Sequence, residues 1–181
     1  MAEATKAMRP IVNAELVRLV KYEKTGKTLS LEEIFAAEEE TKADITPTPK
    51  RGLYDSIIHD SNVEQDMAKA FDDHSTVRLF IKLPSKYKIP TPIGTYSPDF
   101  AIVMEKKDLD DPQAEAKYYF VIETKGTSEL DKLKPAERMK IECAIKHFEA
   151  LGIKSYLAPV DSTETFDAAS QKAVGETFFN Q

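Results

Sequence analysis

Asp99, Glu123 and Lys125 are the residues of this chain whose types and spacing most readily support chemistry. Asp99 follows Pro98 and opens the apolar run Phe100-Ala101-Ile102-Val103-Met104, while Glu123 and Lys125 close the run Tyr118-Tyr119-Phe120-Val121-Ile122. Residues two apart on a β-strand point the same way, about 6.6 Å from each other, so Glu123-Thr124-Lys125 sets a carboxylate beside an ammonium. A neighbouring strand that brings Asp99 to that face gathers two hard oxygen donors and one cation at a sheet end. Two carboxylates suit Mg²⁺, with Mn²⁺ as a substitute, because this ion takes few protein ligands and keeps waters for a substrate phosphate. The backbone carbonyl of Thr124 is a candidate third ligand. A metal so held polarises a phosphate and lowers the pKa of a bound water, and a lysine orients that nucleophile or offsets developing charge. Phosphodiester hydrolysis can use such a set. A blander reading has Asp99 merely starting a strand and Glu123 with Lys125 forming a surface ion pair worth about 0–1 kcal/mol. Spacing alone leaves both open.

The elements that must position these residues read as follows. Ser61 to Asp73 places Val63, Met67, Ala70 and Phe71 at helical spacing. Thr76 to Leu83 alternates, with Val77, Leu79, Ile81 and Leu83 on one side, and predicts a strand. A proline-rich loop, Pro84 to Ser97, precedes a strand over Pro98 to Met104, and an acidic hairpin-like excursion at 105–117 leads into a strand over Tyr118 to Lys125. Pro135 suits the first turn of a helix that runs to Leu151 and that Gly152 closes. Ile153 to Ala158 is the last strand, and a right-handed crossover is expected to join the last two strands. The expected order is helix, three strands, helix, strand. The core is assigned to Val63, Met67, Phe71, Val77, Leu79, Ile102, Val121, Ile145 and Phe148.

Outside this stretch the texture changes. Residues 1–50 predict two helices, Val12 to Glu23 and Leu29 to Glu40, the second opened by a Ser30–Glu33 capping box, before the extended run Thr46-Pro47-Thr48-Pro49-Lys50. Gly26-Lys27-Thr28 imitates the end of a phosphate-binding loop, but that pattern needs a glycine where Lys21 stands, so no ATP site is expected in this chain. The division expected is 1–50 as a helical N-terminal extension, 51–158 as the core, and 159–181 as an acidic C-terminal extension.

With 181 residues and 41% hydrophobic content, the chain is the size of one domain with an appendage. Mean hydropathy of −0.41 and the lack of an 18-residue apolar run argue against a membrane partner, and no signal peptide is visible, so a cytoplasmic location is expected. One cysteine, Cys143, excludes an intramolecular disulfide, and three dispersed histidines make zinc a poor candidate. Net charge is 25 − 31 = −6, yet residues 84–104 and 118–158 together carry nine bases and seven acids. A mildly basic middle permits a nucleic-acid surface without demanding one.

The stretch Lys88 to Val103, including Tyr96-Ser97-Pro98-Asp99-Phe100, with Tyr119-Phe120-Val121-Ile122-Glu123-Thr124-Lys125-Gly126, resembles the C-terminal endonuclease domain of type III restriction enzyme Res subunits. That domain belongs to the PD-(D/E)xK nuclease superfamily. The resemblance runs from Gly52-Leu53-Tyr54-Asp55 through Lys140-Ile141-Glu142-Cys143-Ala144 and His147-Phe148. It implies an α/β restriction-endonuclease-like core of helix, three strands, helix and strand, with Asp99 and Glu123 binding metal and Lys125 assisting hydrolysis. It also implies double-stranded DNA as substrate, an upstream helicase-like motor that uses ATP, and a Mod subunit that recognises and methylates the site.

Glu64 lies on the first helix, where this superfamily often adds an acid to the metal site, although Ser61-x-x-Glu64 is also a capping box. Lys86, Lys88 and Tyr96 in the loop before Asp99, and Lys140 and His147 on one face of the second helix, are candidate DNA contacts. Two other readings stay open: a catalytically silent nuclease-like docking module, and a free-standing repair nuclease.

Overall fold

The computed structural model describes residues 2–26, 44–107, 115–153 and 155–178. The expected helix Leu29 to Glu40 with its Ser30–Glu33 box, Lys27 and Thr28 of the phosphate-loop lookalike, and the tip of the 105–117 excursion lie outside those residues. Gly26, the first residue of that lookalike, has φ of 71°, a turn conformation.

Four strands build the central sheet: β3 (Val77–Lys82), β6 (Phe100–Lys107), β7 (Glu115–Thr124) and β8 (Tyr156–Val160), in the order β3-β6-β7-β8. The first three pair antiparallel, and β8 runs parallel to β7. Helix α3 (Pro135–Leu151) joins the parallel pair. Pro135 opens it, and Gly152 ends it at φ 79°, with Gly152 N–H and Ile153 N–H donating back to Glu149 and Phe148. A β-carbon would strain that left-handed turn.

Side chains alternate across the sheet, so each face has its own core. Phe120 and Ile122 of β7 join Phe80, Phe100 and Ile102 beneath helix α2 (Asn62–Asp73) and helix α4 (Thr163–Phe178). Phe71 stacks edge-on with Phe166 of α4 at 5.1 Å, and both are fully buried. The C-terminal segment read from sequence as an acidic extension thus fills part of the central core. On the other face, Val121 meets Ile141, Ala144 and Phe148 of α3. The proline-rich loop 84–97 holds a small hairpin on that side, β4 (Ile89–Thr91) with β5 (Gly94–Tyr96). Ile89 and Tyr96 turn into the α3 core.

Helix α1 (Ala2–Leu19) begins well before the expected Val12. Its first turns have no apolar periodicity and draw on the helix propensity of Ala2, Ala4 and Ala7. Val17 is buried, and Lys146 of α3 donates to the carbonyls of Val17 and Arg18 at 2.8 and 2.7 Å, which satisfies the end of α1. Tyr22 then reaches the carbonyl of Pro90 at 2.8 Å. The extended run expected at Thr46 to Lys50 begins within a strand, β1 (Asp44–Pro47), paired antiparallel with β2 (Ser56–His59).

The chain between them returns to the open edge of β3. Leu53 N–H donates to Phe80 and Phe80 N–H donates to Arg51, at 2.8 and 2.9 Å. Asp72 of α2, 5% exposed, accepts from the amides of Lys50 and Arg51 at 3.0 and 2.7 Å. A β-carbon on Gly52 would stand 2.5 Å from the Thr48 hydroxyl and 2.7 Å from two carbonyl oxygens, so only glycine fits this approach.

One expectation about β3 fails in a way that matters. The alternation of Val77, Leu79 and Ile81 is broken by a register irregularity between Val77 and Leu79. An extra residue at that point reverses which side chains face inward. Val77 and Phe80 are 2% and 1% exposed, while Leu79, assigned to the core from sequence, is 36% exposed. Lys82, two residues after Phe80, shares its inward face. Phe80→Ala should therefore lower the unfolding free energy by about 3–5 kcal/mol. Leu79→Ser should cost less than about 1 kcal/mol. Urea unfolding of the two variants tests this, and equal costs would contradict the shifted phase.

Candidate active site

The pairing of Phe100 with Ile122 carries the β6–β7 ladder to the point where Asp99 faces Glu123 at the end of the sheet. The amide of Asp99 still donates to the Ile122 carbonyl at 3.0 Å, so the backbone fixes this approach. Lys125 lies one step beyond β7 and is held by its own amide, which donates to Val160 of β8 at 2.9 Å. Asp99, Glu123 and Lys125 are therefore brought together by three neighbouring strands. Asp99 is 9% exposed and Glu123 is 3% exposed.

Each carboxylate has its own set of partners. Asp99 Oδ2 accepts from both the amide and the hydroxyl of Thr124 at 2.7 Å, and Asp99 Oδ1 accepts from Lys82 Nζ at 3.1 Å. Glu123 Oε1 pairs with Lys125 Nζ at 2.6 Å, and Oε2 accepts from the Tyr96 hydroxyl at 2.6 Å. The Tyr96 hydroxyl also meets that of Tyr156. Glu64 joins from α2 through Lys82, whose Nζ stands 2.9 Å from Glu64 Oε2. The same Glu64 Oε2 accepts from the amide of Asp60, and Ser61 Oγ accepts from the Glu64 amide. Glu64 thus caps its helix and, through Lys82, also lies beside Asp99.

Charge is unevenly balanced here. Burial, then the neighbouring Asp99 charge, lift the Glu123 carboxyl to about 7 despite the opposing pull of Lys125 and Tyr96. Burial works against the Lys125 ammonium, but Glu123 outweighs it and holds its pKa above the ordinary lysine value. Burial likewise opposes the Lys82 charge, and Asp99 with Glu64 overcomes it, again raising the pKa. Burial pushes both Tyr96 and Tyr156 well above the usual phenol range, so they act as neutral donors.

The remaining sequence candidates divide. Lys86 and Lys88 are exposed on the loop before β4, and Lys86 lines a groove of about 740 Å³ that also borders Lys82 and Asp99. Lys140 is partly exposed on α3, one turn after Glu137, whose charge reaches Lys125. Tyr96 is not a surface DNA contact: it is 6% exposed and its hydroxyl is committed to Glu123. The hairpin hidden in the proline-rich loop turns it inward. His147 is half-buried between the rings of Tyr22 and Phe148, each 5.2 Å away, so it packs the segment after α1 against α3 rather than presenting a free face. Thr124 was singled out for its carbonyl, yet its amide and hydroxyl are what hold Asp99. Lys82 and Tyr156 were missed altogether. The first is concealed by the irregularity in β3, and the second could have been found only from the parallel pairing of β8 with β7.

Two buried carboxylates with incomplete charge compensation are a donor set that suits a hard divalent cation keeping its own waters. Among the described residues no three His, Cys, Asp or Glu side chains form a self-sufficient metal cage. Glu123 also makes stability pH-dependent. Its folded pKa near 7 exceeds the ordinary 4.5, so the folded state holds a proton that the unfolded chain releases. Stability from this group is full below the unfolded value and is lost as pH rises through the folded one. In EDTA, the urea midpoint of the wild type should fall between about pH 5 and 8 more steeply than that of Glu123→Gln. Parallel pH profiles would show that Glu123 ionises normally.

Residues 50–164 match the family model described as an endonuclease domain. Over 95 residues the chain is 38% identical to the Res subunit of the type III restriction-modification enzyme EcoPI of Escherichia phage P1. It is equally similar to the Res subunit of EcoP15I from Escherichia coli. The aligned region is 51% of this chain but 9% of each relative, so the chain spans only a small part of their length. No solved structure matches significantly. The family match takes in β3 to β8 and with them the whole Asp99–Glu123–Lys125 cluster, and the chain belongs to the endonuclease domain family.

Proposed function

We propose that this chain is the DNA-cleaving domain of a type III restriction enzyme Res subunit, with the PD-(D/E)xK arrangement of helix, three strands, helix and strand. The observation that carries this reading is the meeting of Asp99, Glu123 and Lys125 at one sheet end, inside the region that matches the endonuclease family. The catalytic residues are proposed to lie within 51–158, with 1–50 as an N-terminal extension, while α4 beyond residue 158 completes the core through Phe166 and Val174.

Asp99 and Glu123 would hold Mg²⁺, or Mn²⁺ in its place, with the Thr124 carbonyl as a further ligand. The ion would supply a polarised phosphate and a water acidic enough to act as nucleophile at neutral pH. The chain's own residues do the rest. Thr124 fixes the rotamer of Asp99 by two donors to one oxygen, so that carboxylate stays aimed. Tyr96, itself bonded to the Tyr156 hydroxyl, holds Glu123 from the buried side. Lys125, 27% exposed in its side chain, is the cation with access to solvent and to a phosphate, where it orients the attacking water or offsets developing charge.

Double-stranded DNA is the proposed substrate. Lys86, Lys88 and Lys140 are exposed or partly exposed and would meet its backbone, which positions without reading sequence. With a net charge of −6 the domain has little electrostatic pull of its own on a polyanion. Delivery by a helicase-like motor that uses ATP, and site choice by a Mod subunit, fit that weakness.

The test is cleavage of supercoiled plasmid by the purified chain in Mg²⁺ or Mn²⁺. Asp99→Asn and Lys125→Ala should each reduce nicking at least about 10²-fold, and EDTA should abolish it. Nicking that survives both substitutions would place the chemistry elsewhere or outside this protein.

A further inference from the structure

Lys82 is a charged group at the sheet end that the proposed chemistry leaves without a task, and its placement is specific. Its Nζ lies 2.9 Å from Glu64 and 3.1 Å from Asp99, its side chain is only 17% exposed, and the ammonium stands 5.2 Å over the Phe100 ring. It reaches this position only because the irregularity in β3 turns Phe80 and Lys82 inward together. A lysine buried at such cost to its hydration must answer to the charges it meets, and here they are two carboxylates from different elements.

The bonding of Asp99 narrows what that contact does. A carboxylate oxygen offers two lone pairs, and Thr124 fills both on Oδ2 with its amide and hydroxyl at 2.7 Å. Only Oδ1 has capacity left, and Lys82 already occupies part of it. An incoming dication at Oδ1 would stand beside an ammonium in a site nearly closed to water, where like charges are poorly screened. Space for the ammonium to withdraw exists, because the groove of about 740 Å³ beside Lys82 is lined by Ser56, Asp60, Ser85 and Ser97.

We propose that Lys82 is a resident counter-ion of the Glu64–Asp99 pair, which holds both carboxylates in place without metal and which a divalent cation displaces from Asp99 on binding. Lys82 is thus a positioning residue that sets the affinity of the site for its ion. The inference rests on the assignment of Asp99 as a metal ligand made above. It predicts that the uncharged site binds metal more tightly while being less stable empty.

The experiment measures Mn²⁺ binding to the whole chain without DNA, by electron paramagnetic resonance of the free ion and by calorimetry. Wild type, Lys82→Met, Lys82→Gln, Lys82→Arg and Asp99→Asn are compared, with thermal unfolding in EDTA and in Mn²⁺. Lys82→Met and Lys82→Gln should bind Mn²⁺ at least about tenfold more tightly than wild type, since a neighbouring positive charge has been removed. Both should unfold at lower temperature in EDTA and gain more than wild type when Mn²⁺ is added. Lys82→Arg, which keeps the charge, should stay close to wild type in affinity. Equal or weaker binding by the two neutral variants would overturn the proposal, provided that wild type binds and Asp99→Asn does not. Failure of both neutral variants to fold at any Mn²⁺ concentration would also overturn it, by making Lys82 a purely structural residue. Binding that Asp99→Asn leaves unchanged, or no binding by wild type, would remove the active-site assignment itself and this inference with it.

Discussion

Asp99 and Glu123 sit side by side with 9% and 3% of their surfaces open to water, and their mutual repulsion is the constraint to which the rest of the sheet end is fitted. Left alone, such a pair would lose one charge to protonation or force the strands apart. Lys125 and Tyr96 answer Glu123, Lys82 and Thr124 answer Asp99, and Tyr156 and Glu64 hold those partners in turn. These groups come from α2, β3, β5, β7, β8 and the turn after β7. The local charge problem is therefore solved only when the fold is complete, which links the presence of the site to correct packing of both faces of the sheet.

The layered cores explain why the arrangement is rigid. Phe120 and Ile122 anchor β7 from below, and Val121 anchors it from above against α3. A strand clamped on both faces has little freedom to shift its end, so Glu123, Thr124 and Lys125 inherit the precision of the cores behind them. Helix α4 contributes to the same end through Phe166 and Val174, which complete the lower cluster.

The sequence was most legible where a feature is local. The Glu123–Lys125 spacing needed only the strand period, and the limits of α3 were readable from Pro135 and Gly152. The Ser61 cap likewise marked the start of α2. Lys82 was hidden because one irregular residue in β3 inverts an alternation that otherwise reads cleanly as Val77, Leu79, Ile81. Tyr96 was misplaced because three prolines in residues 84–97 suggested an open loop, whereas Pro90 sits within a short hairpin. Tyr156 and the second role of Glu64 depend on partners 60 and 18 positions away along the chain, at Tyr96 and Lys82, and no local pattern encodes such pairings.

The return of residues 51–53 to β3 has a consequence for association between molecules. An edge strand offers unpaired amides and carbonyls to any extended chain that passes, and a sheet edge of this kind invites strand addition or fibrous stacking. Here Arg51 and Leu53 use the amide and carbonyl of Phe80, and the turn that delivers them is held by the Asp72 carboxylate. A buried acid on one helix thereby acts as the latch of a cover over the sheet margin, and the close fit at Gly52 leaves that cover no room to slide. Colloidal behaviour of the domain is tied in this way to a residue outside the Asp99–Glu123–Lys125 cluster.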